Sequence, residues 1–207
     1  MKEKKKVKNL LFDLGGVIID IDVNKTAQQM TFILGLEDEL KGDKVLNHMI
    51  FKQYETGKLN SAEFVQAIKN MARKKVEESQ IIEAWNAMLL QIPVERIKLL
   101  EKLKKKNRLF VLSNTNELHV NRFNTMVPGY SALSELFEKV YYSHEIGCRK
   151  PTKEAFNIII EENSIDPTET LFIDDAIENI EAASEMNFQT LFVKKHNDIT
   201  QLLIVKE

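Results

Sequence analysis

Val7-Lys8-Asn9-Leu10-Leu11-Phe12-Asp13-Leu14-Gly15-Gly16-Val17 is the stretch whose reading decides the fold. A short apolar run followed closely by Gly-Gly predicts a buried strand over 7–12 that ends in a tight turn. Asp13 stands just past that strand, where a carboxylate has no structural use, and the two glycines permit an unusual backbone. Open α/β sheets place their chemistry at the C-terminal ends of strands, so Asp13 is the first candidate site residue.

Working outward, further strands read at 108–112, 139–142, 170–173 and 189–193, with helices over 152–162 and 176–186 between them. Strands alternating with helices imply right-handed crossovers and a parallel sheet. From Asn24 to about Lys106 the apolar spacing is helical throughout, punctuated by Gly35 and Gly57, with Ser61 in a cap region and no strand. The expected architecture is α/β: a doubly wound, Rossmann-like core from 1–20 and 106–207, with an all-helical unit, 21–105, inserted between its first two strands.

At 207 residues the chain is long enough for one such domain with an appendage. A formal net charge of -2 argues against a dedicated nucleic-acid binder. The basic start, Met1 to Lys6, lacks the long apolar stretch of a secretory signal, and apolar runs of five to eight residues are too short for a bilayer. A single cysteine, Cys148, excludes an internal disulfide and suits a reducing cytoplasm.

Each strand end carries a chemical residue: Asp13, then Ser113-Asn114-Thr115-Asn116, then Arg149-Lys150-Pro151 opening a helix, then Asp174-Asp175. A parallel sheet brings these ends to one crevice. Carboxylates that close repel one another unless a cation lies between them, and a small set of hard oxygens suits Mg²⁺. A lysine, a hydroxyl and exposed backbone amides complete a phosphate pocket. The constellation points to metal-assisted phosphoryl chemistry on a small phosphorylated metabolite.

These motifs resemble, in order, those of the haloacid dehalogenase-like hydrolase superfamily with a helical cap of its first class. Asp13-Leu14-Gly15-Gly16-Val17 is similar to motif one and Leu112-Ser113-Asn114-Thr115-Asn116 to motif two. Lys150-Pro151 is similar to motif three and Phe172 to Asn179 to motif four. The segment Tyr54 to Leu59, with Glu63-Phe64, resembles the sugar-phosphate phosphatase branch, which includes glucose-1-phosphate phosphatases. The resemblance implies that Asp13 attacks phosphorus to form an aspartyl-phosphate, and that Mg²⁺ is held by Asp13, the Gly15 carbonyl, Asp175 and, through water or by orienting it, Asp174. It implies that Lys150 neutralises Asp13 and the phosphoryl group, that Ser113 and the amide of Asn114 bind phosphate oxygens, and that Asn179 positions Lys150.

Gly15 departs from that pattern, because the family's phosphatases usually carry a second aspartate there as general acid and base. Three readings follow: a good leaving group such as an anomeric or acyl phosphate, a substitute acid among Asp20, Asp22 and Glu55, or a weak site. The two rivals are a 2-haloacid dehalogenase, which needs no metal and hence no acidic pair at 174–175, and a scaffold that keeps the fold for binding or regulation. Tyr54, Glu55 and Lys58 are candidates for substrate selection. His48, His119, His144 and His196 read as structural or exposed.

Overall fold

The computed structural model describes residues 5–36, 42–194 and 199–204; His196 lies outside them. In chain order its strands are β1 (Asn9–Phe12), β2 (Asp20–Ile21), β3 (Leu89–Gln91), β4 (Arg108–Ser113), β5 (Lys139–Tyr142), β6 (Thr170–Asp174) and β7 (Gln189–Phe192). Its helices are α1 (Val23–Leu34), α2 (Met49–Glu55), α3 (Ser61–Met71), α4 (Glu78–Asn86), α5 (Val94–Lys104), α6 (Glu117–Asn124), α7 (Ser143–Ile146), α8 (Lys153–Asn163), α9 (Ile177–Glu185) and α10 (Ile199–Ile204).

Five strands form a sheet in the order β5-β4-β1-β6-β7, every pair parallel. The first strand is therefore central, which explains why all four of its side chains are buried. Alternation sorts the neighbouring strands onto two faces. Leu10, Phe12, Leu109, Val111, Leu171 and Ile173 join one apolar cluster. Leu11, Phe110, Leu112 and Phe172 join another, with Phe156 and Ile159 of α8 and Ile180 and Ala183 of α9.

The inserted stretch packs in two ways. Helices α1 to α4 enclose their own cluster, built on Met30, Phe51, Tyr54, Phe64, Ile68, Ile81 and Trp85. Within it Tyr54 stacks on Phe64 at 4.3 Å and Phe51 on Trp85 at 5.1 Å. Helix α5 instead turns Ile97, Leu99 and Leu100 into the sheet's first cluster, so residues 94–104 pack with the sheet although they fall within the helical span 21–105. The stretch also holds a strand that helical spacing concealed: β3 pairs antiparallel with β2. At two and three residues these strands are too short to show alternation. They tie the outgoing and returning chains together, reinforced by Asp22 N–H donating to the Met88 carbonyl at 2.9 Å. Asn60 rather than Ser61 caps α3, in a reciprocal box with Glu63.

Candidate active site

Asp13 follows β1 directly, and Asp174 closes β6, its neighbour in the sheet. Ser113 ends β4 on the other side, two residues beyond Val111, the register partner of Phe12. Parallel order thus brings three distant segments to one edge, as their spacing implied.

Lys150 binds the acids together. Its Nζ donates to Asp13 Oδ1 at 2.7 Å and to Asp174 Oδ2 at 2.6 Å. The side chains of Lys150 and Asp174 are 1% and 0% exposed, whereas Asp13 keeps 12% and so faces the opening. Asp174 is further held by the Ala176 N–H and by the Asn179 side chain, which donates to both its oxygens at 3.0 and 3.1 Å. Asn179 therefore positions Asp174, and Lys150 only through it. Its amide donates to that carboxylate.

Asp175 is the exposed member, and Gly16 makes room for it. Gly16 has φ +71°, and a Cβ there would lie 2.1 Å from Asp175 Oδ2, so glycine is required by both conformation and space. One oxygen from each of Asp13, Asp174 and Asp175 lies within 4.8 Å of the others. Burial, reinforced by the charges of Asp174 and Asp175 and opposed by Lys150, pushes the Asp13 carboxyl up to about 7. Burial, with Asp174 beside it, likewise raises Asp175. Burial would lower Lys150, but the two carboxylates it touches hold it above its ordinary value. Three acids against one ammonium leave the pocket short of positive charge, and their hard oxygens fit Mg²⁺.

The Asn114 side chain does something the sequence did not reveal. Its amide clamps the backbone of Lys150 on both sides, donating to the carbonyl at 3.0 Å and accepting from the N–H at 2.9 Å. Motif two thereby sets the reach of the motif-three lysine.

The substitute acids fare unequally. Asp20 is occupied by Arg96 at 2.9 Å and Gln91 at 3.0 Å. Asp22 caps α1, accepting from the Asn24 N–H. Glu55 pairs at 3.3 Å with Arg149, the residue before Lys150. Burial raises its carboxyl, against Arg149 and Lys52. Of the candidates for substrate selection, Tyr54 is buried and bonded to Ser61 and the Leu118 N–H, while Lys58 is exposed. His48 caps α2, and His119 is buried against Trp85.

A family model described as haloacid dehalogenase-like hydrolase matches residues 7–187. A D-ribitol-5-phosphate phosphatase of Bacteroides thetaiotaomicron is 32% identical over 205 residues, covering 96% of this chain and 98% of that protein. A HAD-family enzyme of the same organism, solved with magnesium and inorganic phosphate, is 36% identical with a TM-score of 0.85, over 95% of this chain and 98% of its own. An L-2-haloacid dehalogenase of Xanthobacter autotrophicus shares the fold, with a TM-score of 0.57 at 15% identity over 89% of this chain and 76% of its own.

Proposed function

The chain belongs to the haloacid dehalogenase-like hydrolase family, and from that premise we propose that it is a Mg²⁺-dependent phosphatase of small sugar or alditol phosphates. The observation that carries this reading is the Asp13–Lys150–Asp174–Asp175 cluster at the C-terminal edge of the sheet. A dehalogenase has no need of three acids gathered around one lysine. The relative that acts on D-ribitol 5-phosphate supports a polyhydroxylated substrate.

Lys150 holds Asp13 Oδ1, which leaves Oδ2 to attack phosphorus. The phosphorus–oxygen ester bond breaks and an aspartyl-phosphate forms. Water then attacks the same phosphorus, releasing inorganic phosphate and restoring Asp13. Asp13, Asp174, Asp175 and the Gly15 carbonyl would hold Mg²⁺, which supplies charge neutralisation for the phosphoryl oxygens. Lys150 adds the second positive charge, and Ser113 with the Asn114 N–H receives phosphate oxygens. Position 15 offers no proton to the departing oxygen. An alditol phosphate leaves as a poor alkoxide, so that lack bears directly on rate.

We further read α1 to α4 as a cap that covers the crevice, excludes water and selects the substrate. A single cysteine and the lack, among the described residues, of any helix able to cross a membrane support action in the cytoplasm. The test is phosphate release from a panel of sugar and alditol phosphates with and without Mg²⁺, with Asp13→Asn as control. Metal-independent halide release from 2-haloacids, with no phosphate release, would overturn the assignment.

A further inference from the structure

Arg149 stands between the catalytic lysine and the helical unit. Its Nη2 lies 3.3 Å from Glu55 Oε2 at the end of α2, and both side chains are largely shielded, at 33% and 23% exposure. Two residues on, Gly57 adopts φ +68° and seats its backbone against the His144 carbonyl, where a Cβ would come within 2.2 Å of the oxygen. The same turn of the helical unit thus touches α7 through Gly57 and Arg149 through Glu55.

Two polar atoms on the sheet side of this junction are left over. Arg149 Nε and His144 Nδ1 are buried and have no hydrogen-bond partner among the described residues. The third such atom, Asn86 Oδ1, belongs to the residue after Trp85, which itself packs on α6. Buried polar groups are nearly always partnered, and each exception calls for a missing water, ion or ligand. Here the exceptions gather where the helical unit meets the sheet, and Arg149 adjoins Lys150.

We propose that Arg149 and His144, backed by Glu55, form the subsite that grips the hydroxyls of the group losing its phosphate. The proposal rests on the phosphatase reading and deepens it. Charge decides the ligand class. The guanidinium is already matched by Glu55, and burial keeps His144 below its ordinary range and therefore neutral. A nearly neutral pair of this kind suits hydroxyls, not a second phosphate or a carboxylate. A hydroxyl accepts from Arg149 Nε–H and donates to His144 Nδ1, because the one N–H of the neutral ring faces the Thr115 backbone.

Arg149→Lys separates this role from a simple latch, since lysine keeps the charge that Glu55 pairs with but lacks Nε. His144→Phe is the second variant; it retains a ring to stack on Tyr142, now at 6.0 Å and 14°, and removes Nδ1. The measurement is kcat/KM for ribitol 5-phosphate and glucose 1-phosphate, each divided by that for phenyl phosphate, whose leaving group has no further hydroxyl. The subsite predicts that the better of the two ratios falls about 10- to 100-fold in each variant, the effect of losing a charge-assisted or buried hydrogen bond. Both variants retaining the wild-type ratios would overturn the subsite while leaving the phosphatase reading intact. Wild-type protein that releases phosphate from none of the three esters would overturn both.

Discussion

Two buried polar clusters lie on either side of Asn114-Thr115-Asn116, and they are built on opposite principles. In the crevice, Lys150 is shared between Asp13 and Asp174, with Asp175 beside them. In the other, where Trp85 meets α6, every member is neutral. Asn116 Oδ1 accepts from Trp85 Nε1 at 3.0 Å and from the His119 N–H at 3.1 Å. His119 Nε2 faces the Trp85 carbonyl at 3.0 Å, which selects the tautomer protonated there and leaves Nδ1 to accept from Asn116 Nδ2. The ring also stacks on Trp85 at 4.9 Å. The Trp85 cluster satisfies itself, whereas the crevice carries an excess of negative charge that calls for a cation and a phosphate. One cluster is arranged for stability and the other for chemistry.

That contrast is open to breaking. Asp13→Asn should abolish turnover, by on the order of 10⁴-fold or more, while the unfolding midpoint hardly moves; phosphate release and a denaturant curve on the same sample check both halves. Trp85→Ala should do the reverse first, costing about 3–5 kcal/mol of stability, read as a lower midpoint in urea. A large stability loss from Asp13→Asn, or none from Trp85→Ala, would erase the distinction.

Acid should reveal the Trp85 cluster separately. Burial, partly offset by the Trp85 carbonyl, lowers His119 to about 4 from its ordinary 6.5. Folding therefore favours the neutral ring, and this contribution is complete above pH 6.5 and lost progressively as the pH falls toward 4. The full effect is about 3 kcal/mol. A His119→Gln variant should show a flatter dependence of stability over that window, and an unchanged slope would assign the acid sensitivity elsewhere.

Gly15→Asp probes the crevice in the favourable direction. Its φ lies outside the left-handed range, and the added Cβ would meet only the tip of Ile21, at 3.0 Å. Supplying the absent proton donor should speed hydrolysis of alkyl phosphates about 10²-fold, with little gain for aryl or acyl phosphates. An equal gain for all leaving groups would show that proton delivery is not what the glycine withholds.

Much of this molecule was legible in its residues. Alternating apolar runs placed the five strands of the main sheet, and the chemical residues at their ends named the crevice before any geometry, because a parallel sheet collects those ends by topology alone. The short β2–β3 ribbon was not legible, since so few residues carry no period. Nor was the allegiance of α5, because an amphipathic helix shows that it has an apolar face but not which neighbour receives it. Arg149 stood in the sequence only as the neighbour of Lys150; packing set it against Glu55 with its Nε out of water.

The residue types and their order thus determined the fold class and the set of acids that meet at the crevice, because chemistry and periodicity are local properties of a chain. Tertiary structure alone decided how those groups are shared. It turned Asn179 to Asp174 and Asn114 to the backbone of Lys150, engaged Asp20 with Arg96 and Asp22 with the start of α1, and joined His119 to Trp85. Such assignments depend on distances of about 3 Å between residues remote in sequence, and hydrogen bonds weaken too steeply with geometry for spacing to foretell them.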